Sequence, residues 1–173
     1  MRNSIPHNIL VVCLIVFSVP AWSSDFRNSK WGATVSEVLE TEKAELTKQE
    51  KTELGWHTMR YAAEMLGQTM EVSYFFDPIC KRLVAGSFSF EEPLSEIQFL
   101  MIIRTFSSIY GEGVSSNSLN GGGTIKWQGD DSEIQFRHWP IDNEIPALEH
   151  LAPSQVSYRS IEGEPSSCDM GGE

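Results

Sequence analysis

Alternation between apolar and polar positions divides the chain into two helical stretches and several strand-like ones. Thr34-Val35-Ser36-Glu37 fits a capping box, in which the Thr34 hydroxyl and the Glu37 carboxylate each satisfy a backbone N–H at a helix start. Val35, Val38 and Leu39 follow at helical spacing, which predicts a first helix from about Val35 to Lys43. Leu54, Trp56, Thr58 and Arg60 alternate with His57, Met59 and Tyr61 as a strand with mixed faces, and Leu66-Gly67-Gln68 turns the chain. In the next strand Met70, Val72, Tyr74 and Phe76 share one face, and Glu71, Ser73 and Asp77 the other. Its return partner runs from about Arg82 to Phe90. The connecting turn is Asp77–Lys81, where Pro78 has no N–H to give a ladder.

Ser95 and Gln98 repeat the capping chemistry ahead of Phe99, Ile102, Ile103, Phe106, Ile109 and Tyr110, one continuous helical face ended by Gly111 and Gly113. Leu100 and Met101 widen that face, which predicts a core helix covered on more than one side. Residues 113–123 read as a flexible loop. A hairpin follows, Thr124–Gln128 and Ser132–Trp139 about a Gly129-Asp130-Asp131 turn. Residues 140–153 read as irregular, Gln155–Ile161 as a last strand, and 162–173 as a disordered acidic tail. Val72-Ser73-Tyr74 and Val156-Ser157-Tyr158 echo one another and hint at a duplication. The elements are offset by unequal amounts, however, so no argument is built on it.

The predicted fold class is therefore α+β, two helices packed on antiparallel sheet in the order helix–meander–helix–hairpin–strand. That arrangement is loosely similar to SmpA/OmlA-like and β-lactamase-inhibitor modules, which are binding proteins. Residues 1–23 have the form of a signal peptide: Arg2, an apolar run over Ile9–Val19, Pro20, and small residues at Ala21 and Ser23. The run is too short to span a ~30 Å hydrocarbon core, so no membrane span is expected after cleavage. Val12 stands where lipidation of Cys13 would want a small residue. The expected layout is one domain over 24–161 and a tail over 162–173, in a periplasmic or secreted protein. About 150 residues can bury roughly 70% of their unfolded surface, enough for one core.

Charge narrows the partners. The chain carries a formal −11, and losing Arg2, the one charged side chain before Ser24, makes it −12. With no basic stripe to offset this, nucleic acid is excluded as a partner and an anionic membrane surface is disfavoured. An exported protein meets an oxidising compartment, so Cys80 and Cys168 form a candidate disulfide that would add about 4–5 kcal/mol in the chain-entropy model. Two unpaired thiols are the open alternative.

The stretch F-R-x-x-x-W-G-x-S/T-x-x-E-V is carried here by Phe26, Arg27, Trp31, Gly32, Thr34, Glu37 and Val38. It resembles the opening of a group of uncharacterised exported bacterial proteins. The resemblance implies a meander containing a Y-x-F-D-like hairpin and a second helix ending Y-G. Tyr74-Phe75-Phe76-Asp77 and Tyr110-Gly111 match these, while Asp77–Lys81 replaces a short Asn/Gly turn. It implies no activity, and its residues read as structural, with Trp31 seated beside Gly32 as a lid on the sheet.

Catalytic and metal signatures are weak. Gly121-Gly122-Gly123 leaves a loop and enters a strand, unlike a phosphate loop. No G-x-S-x-G elbow occurs at Ser87 or Ser115. His57, His138 and His150 lack zinc-site spacing, and His138 shares a predicted face with Ile134 and Phe136 as a core histidine would. Asp130, Asp131 and Glu133 lack the spacing of a calcium loop. Trp31, Trp56, Trp127 and Trp139 read as core or cover. No catalytic, cofactor or metal residue is assigned and no cofactor is expected. The reading leans away from an enzyme, to a non-catalytic module that binds an envelope protein or other periplasmic component. The alternative is a small periplasmic hydrolase using Cys80 or a carboxylate cluster.

Overall fold

The computed structural model describes residues 26–117, 122–138 and 154–161. Eight antiparallel strands form one sheet: β1 Glu45–Lys51, β2 His57–Met65, β3 Gln68–Phe76, β4 Leu83–Phe90, β5 Val114–Asn117, β6 Gly123–Gln128, β7 Ser132–His138 and β8 Ser154–Ser160. Their order across the sheet is β1-β2-β3-β4-β8-β7-β6-β5. Helix α1 is Val35–Thr41 and helix α2 is Glu96–Tyr110. Residues 1–25, 118–121, 139–153 and 162–173 lie outside the description, and with them the expected signal peptide, part of the expected 113–123 loop, Trp139, His150 and Cys168.

The expected α+β class is overturned. Among the described residues 52% lie in strands and 19% in helices, and the sheet, not a pair of helices packed on it, is the body of the molecule. The loose likeness to SmpA/OmlA-like and β-lactamase-inhibitor modules falls with that class. Two strands account for the change. β1 reads E-L-T-K-Q-E-K and is exposed along nearly all its length, and β5 is a four-residue strand inside the stretch expected as loop. Both are edges of the sheet, with ladder partners on one side only. An edge with no buried face shows no apolar alternation, so the period-2 signal is missing.

The helices are minor but well founded. Both expected capping boxes form: the Thr34 and Ser95 hydroxyls accept from the backbone N–H of Glu37 and Gln98, whose side chains accept in return. α1 buries Val38, and α2 buries Ile102 and Phe106. The wide cover expected over α2 is absent among the described residues, for Ile97, Leu100 and Met101 are exposed.

All the large buried side chains of the strands share one face. Register aligns Tyr61, Val72, Phe88, Val156, Phe136 and Ile125 across β2-β3-β4-β8-β7-β6, with Met59, Tyr74, Tyr158, Ile134 and Trp127 in one adjoining row. The helices and Phe26 lie on this face, since Val38, Ile102 and Phe106 belong to the same core cluster.

A helix followed by a four-stranded meander occurs twice, as α1β1β2β3β4 and α2β5β6β7β8, and the halves meet along β4 and β8. The β4–β8 register centres on Ser87 opposite Ser157. A two-fold through that pair sets Phe88 against Tyr158, Val72 against Ile134, Tyr74 against Phe136 and Tyr61 against Trp127. The helix-then-strands order that hinted at duplication does occur twice among the described residues, but the V-S-Y echo joined the wrong strands. β3 and β8 both flank β4, and the counterpart of β3 is β7.

Candidate functional site

The seven motif residues come together, and what they build is a bracket. Phe26 is fully buried and meets Tyr74, Phe88 and Tyr158 with ring centroids 5.0, 5.1 and 5.2 Å away, on three adjacent strands. It lies over Gly86, where an added Cβ would sit 2.3 Å from the ring. Phe26 therefore plugs the seam between the two halves, and only glycine admits it there. Trp31 is partly buried, stacks on Phe26 at 6.3 Å and donates from Nε1 to the Ser132 hydroxyl at 2.9 Å. Its indole ties the first half to β7 of the second. Gly32, at φ 80°, donates to the Leu83 carbonyl at 2.9 Å.

Arg27, in the left-handed region at φ 56°, reaches Glu42 with Nε–Oε2 3.1 Å and Nη2–Oε1 3.2 Å. The Glu42 side chain is wholly buried. Its Oε1 also accepts from the backbone N–H groups of Lys43 and Ala44 at 2.8 Å, and the Tyr74 hydroxyl donates to Oε2. Burial, then the bond to Glu42, pushes the Tyr74 hydroxyl well above the ordinary tyrosine range. A buried carboxylate saturated by a guanidinium, a phenol and two amides is a structural centre. Glu42 lay outside the motif and was missed. Its signal was the placement of an acid just past a helix end.

The other face of the same strands has a different character. Three rows cross it in register. The central one runs Lys48, Arg60, Ser73, Ser87, Ser157, Gln135 and Lys126. To one side lie Glu50, Thr58, Phe75, Ala85, Arg159 and Glu133, and to the other Glu45, Ala62, Glu71, Ser89, Gln155 and Arg137. Three serines on adjacent strands make a low floor, with longer side chains rising on each side. A depression of about 290 Å³ lies here, lined among others by Phe75, Ser87, Gln135, Gln155, Ser157 and Arg159.

Hydrogen bonds on this face run along the sheet. Arg60 bridges Glu50 at 2.8 Å and Glu71 at 3.6 Å, Lys126 meets Glu133 at 3.3 Å, Ser73 donates to Glu71 at 3.1 Å, and Gln155 donates to Ser89 at 3.2 Å. The hydrogen bond from Lys48, more than its own burial opposes, holds the Glu50 carboxyl below its usual range. The pairs Arg60–Glu71 and Lys126–Glu133 are counterparts under the internal two-fold. Among the described residues Arg137 and Arg159 make no ion pair, and the Ser87 hydroxyl makes no hydrogen bond. The alternation of Glu71 and Ser73 against Val72 and Tyr74 was legible in the sequence, but their lateral alignment with β8 and β7 needed the topology.

The remaining candidates separate. Cys80 is disulfide-bonded, and both other cysteines, Cys13 and Cys168, lie outside the described residues. Its turn is closed by the Asp77 carboxylate, which accepts from the N–H groups of Ile79 and Cys80 at 2.8 and 2.7 Å. His57 is at the end of β2 beside Gln49 at 2.8 Å, and burial, then Lys51 and Lys81, lowers its pKa. His138 is at the end of β7, 2.8 Å from the Ser154 hydroxyl and 4.6 Å between centroids from Phe99, with its pKa lowered by burial. It borders a second depression, of about 230 Å³, with Phe99, Phe136 and Ser115. The two histidines are at opposite flanks of the sheet, and neither faces the serine floor. Glu91 and Glu92 are exposed at the end of β4. Among the described residues no group of three or more His, Cys, Asp or Glu is placed to hold a metal, and no helix is long and apolar enough to cross a membrane.

Compared with family models, curated proteins and solved structures, the chain finds no match in any of the three.

Proposed function

We propose that this is a non-catalytic binding module of the bacterial envelope, periplasmic or secreted, that docks an envelope component on the sheet face that is helix-free among the described residues. One observation carries the reading. The two faces of the same eight strands are divided between tasks: one holds the core and both helices, the other displays ordered charged rows around a serine floor. Such rows do not stabilise the fold much, since ion pairs open to solvent, as Lys126–Glu133 is and the half-buried Arg60 pairs partly are, contribute only ~0–1 kcal/mol each. The resemblance of the opening motif to exported bacterial proteins, and the signal-peptide form of residues 1–23, support the location.

Turnover has less support on this face. A serine nucleophile needs a base within hydrogen-bond reach, and the side chains in register beside Ser87 are Ser73 and Ser157. Glu71 and Glu133 are engaged in ion pairs. The second reading, a small periplasmic hydrolase using Cys80 or a carboxylate cluster, gains no observation: a disulfide sulfur is not a thiolate nucleophile, and the carboxylates Glu71 and Glu133 on this face sit in ion pairs on separate strands. The test is a crosslinked pull-down from the native envelope with Arg159→Glu beside the unaltered protein. Arg159 is exposed on this face, and Arg159→Glu is expected to keep the melting temperature and lose the crosslinked component. Retention of the component by a folded variant would move the binding surface elsewhere.

A further inference from the structure

Charge on the helix-free face is divided, and the division says what fits it. On β1 to β3 the face carries Lys48 and Arg60 against Glu45, Glu50, Glu64 and Glu71, a net −2. On β6 to β8 it carries Lys126, Arg137 and Arg159 against Glu133, a net +2. The face is therefore neutral as a whole within a chain of −11, and all the excess acid lies off it. The internal two-fold shows where the division comes from. The duplicated pairs Arg60–Glu71 and Lys126–Glu133 cancel, whereas Arg137 stands where the first half has Phe75, and Arg159 where it has Ser89.

We propose that this face pairs with the same face of a second copy, about a two-fold axis running along β4 and β8. The proposal rests on reading the face as the binding surface and names its occupant. A face with opposite signs on its two lateral halves is self-complementary under that rotation, which sets β2 and β3 of each copy over β6 and β7 of the other. Glu71 then lies opposite Arg137 at two symmetry-related points, while Arg60 faces Lys126, each of these two cations already paired with a carboxylate of its own copy. Serines along the middle keep the centre low enough for two sheets to approach the ~10 Å of ordinary face-to-face stacking. The excess charge off the face is screened over about 8 Å at physiological salt, so it does not forbid the contact.

Sedimentation velocity on the mature chain tests this, with each variant first shown to keep the melting temperature. In about 0.15 M salt the protein is expected to dimerise reversibly, and at about 1 M salt the dimer should weaken. Glu71→Arg and Arg137→Glu should each weaken it by at least about tenfold, and the double swap should restore most of the loss, because reversing both signs recreates the pair. A monomer at every concentration up to about 1 mM would overturn the proposal, as would a dimer indifferent to both single swaps. Either result leaves the docking reading to stand or fall on Arg159→Glu in the pull-down, so the two failures are distinguishable.

Discussion

Phe26 fills the seam where the two halves join, packing on Tyr74, Phe88 and Tyr158. Its place requires Gly86, whose missing Cβ is the space the ring occupies. Gly86→Ala should therefore destabilise by about 1–3 kcal/mol as overpacking does, read as a lower urea midpoint at unchanged slope. An unchanged midpoint would mean that the ring does not seat there. Trp31, expected to be the lid, proves to be a strut to Ser132 that stacks on Phe26. Its apolar burial and its partner across the halves were not separable in the sequence. A second expectation concerns acid. Burial lowers the pKa of His138, so the folded state holds the neutral ring and the unfolded chain binds more protons below its own pKa of about 6.5. Stability from this group is present above that pH and is lost as pH falls through it. His138→Gln should melt with a smaller loss between about pH 7.5 and pH 5.5 than the unaltered chain. Some loss should persist, because the pKa of His57 is lowered in the same direction.

Local chemistry made some elements legible and left others silent. Both helix starts were readable because a capping box is complete within four residues and needs no tertiary partner. Ser95→Ala removes the hydroxyl that accepts from the Gln98 N–H, and thermal unfolding should show a cost of about 1 kcal/mol. No change would mean that Gln98, which also reaches the Leu66 carbonyl, holds the helix start without the cap. β3, β4, β7 and β8 were readable because each hides one face and alternates accordingly. β1 and β5 were not, being sheet edges whose polar residues, with charges along β1, oppose pairing with other chains. Missing these two edges made an eight-stranded sheet look like an α+β fold. Their lateral positions also decide which charges share a face, so the candidate site was hidden for the same reason.

At the scale of the molecule, two helix-and-meander halves share one sheet, and the core has been gathered wholly onto one side of it. The opening motif belongs to that side: Phe26 plugs the seam, Trp31 ties the halves, and Arg27 neutralises the buried Glu42. Sequence reasoning found the motif because its residues are close together in the chain. It did not find the serine row, whose members come from three strands that only the β4–β8 pairing brings side by side. Binding on the sheet face opposite the two described helices is the proposal on which the functional reading depends. Site-specific photocrosslinking in the cells that make the protein tests it most directly, with the reactive side chain placed at exposed Arg159 on that face or at exposed Leu39 on α1. Discrete adducts are expected from Arg159 and none from Leu39; adducts from Leu39 with none from Arg159 would contradict the proposal.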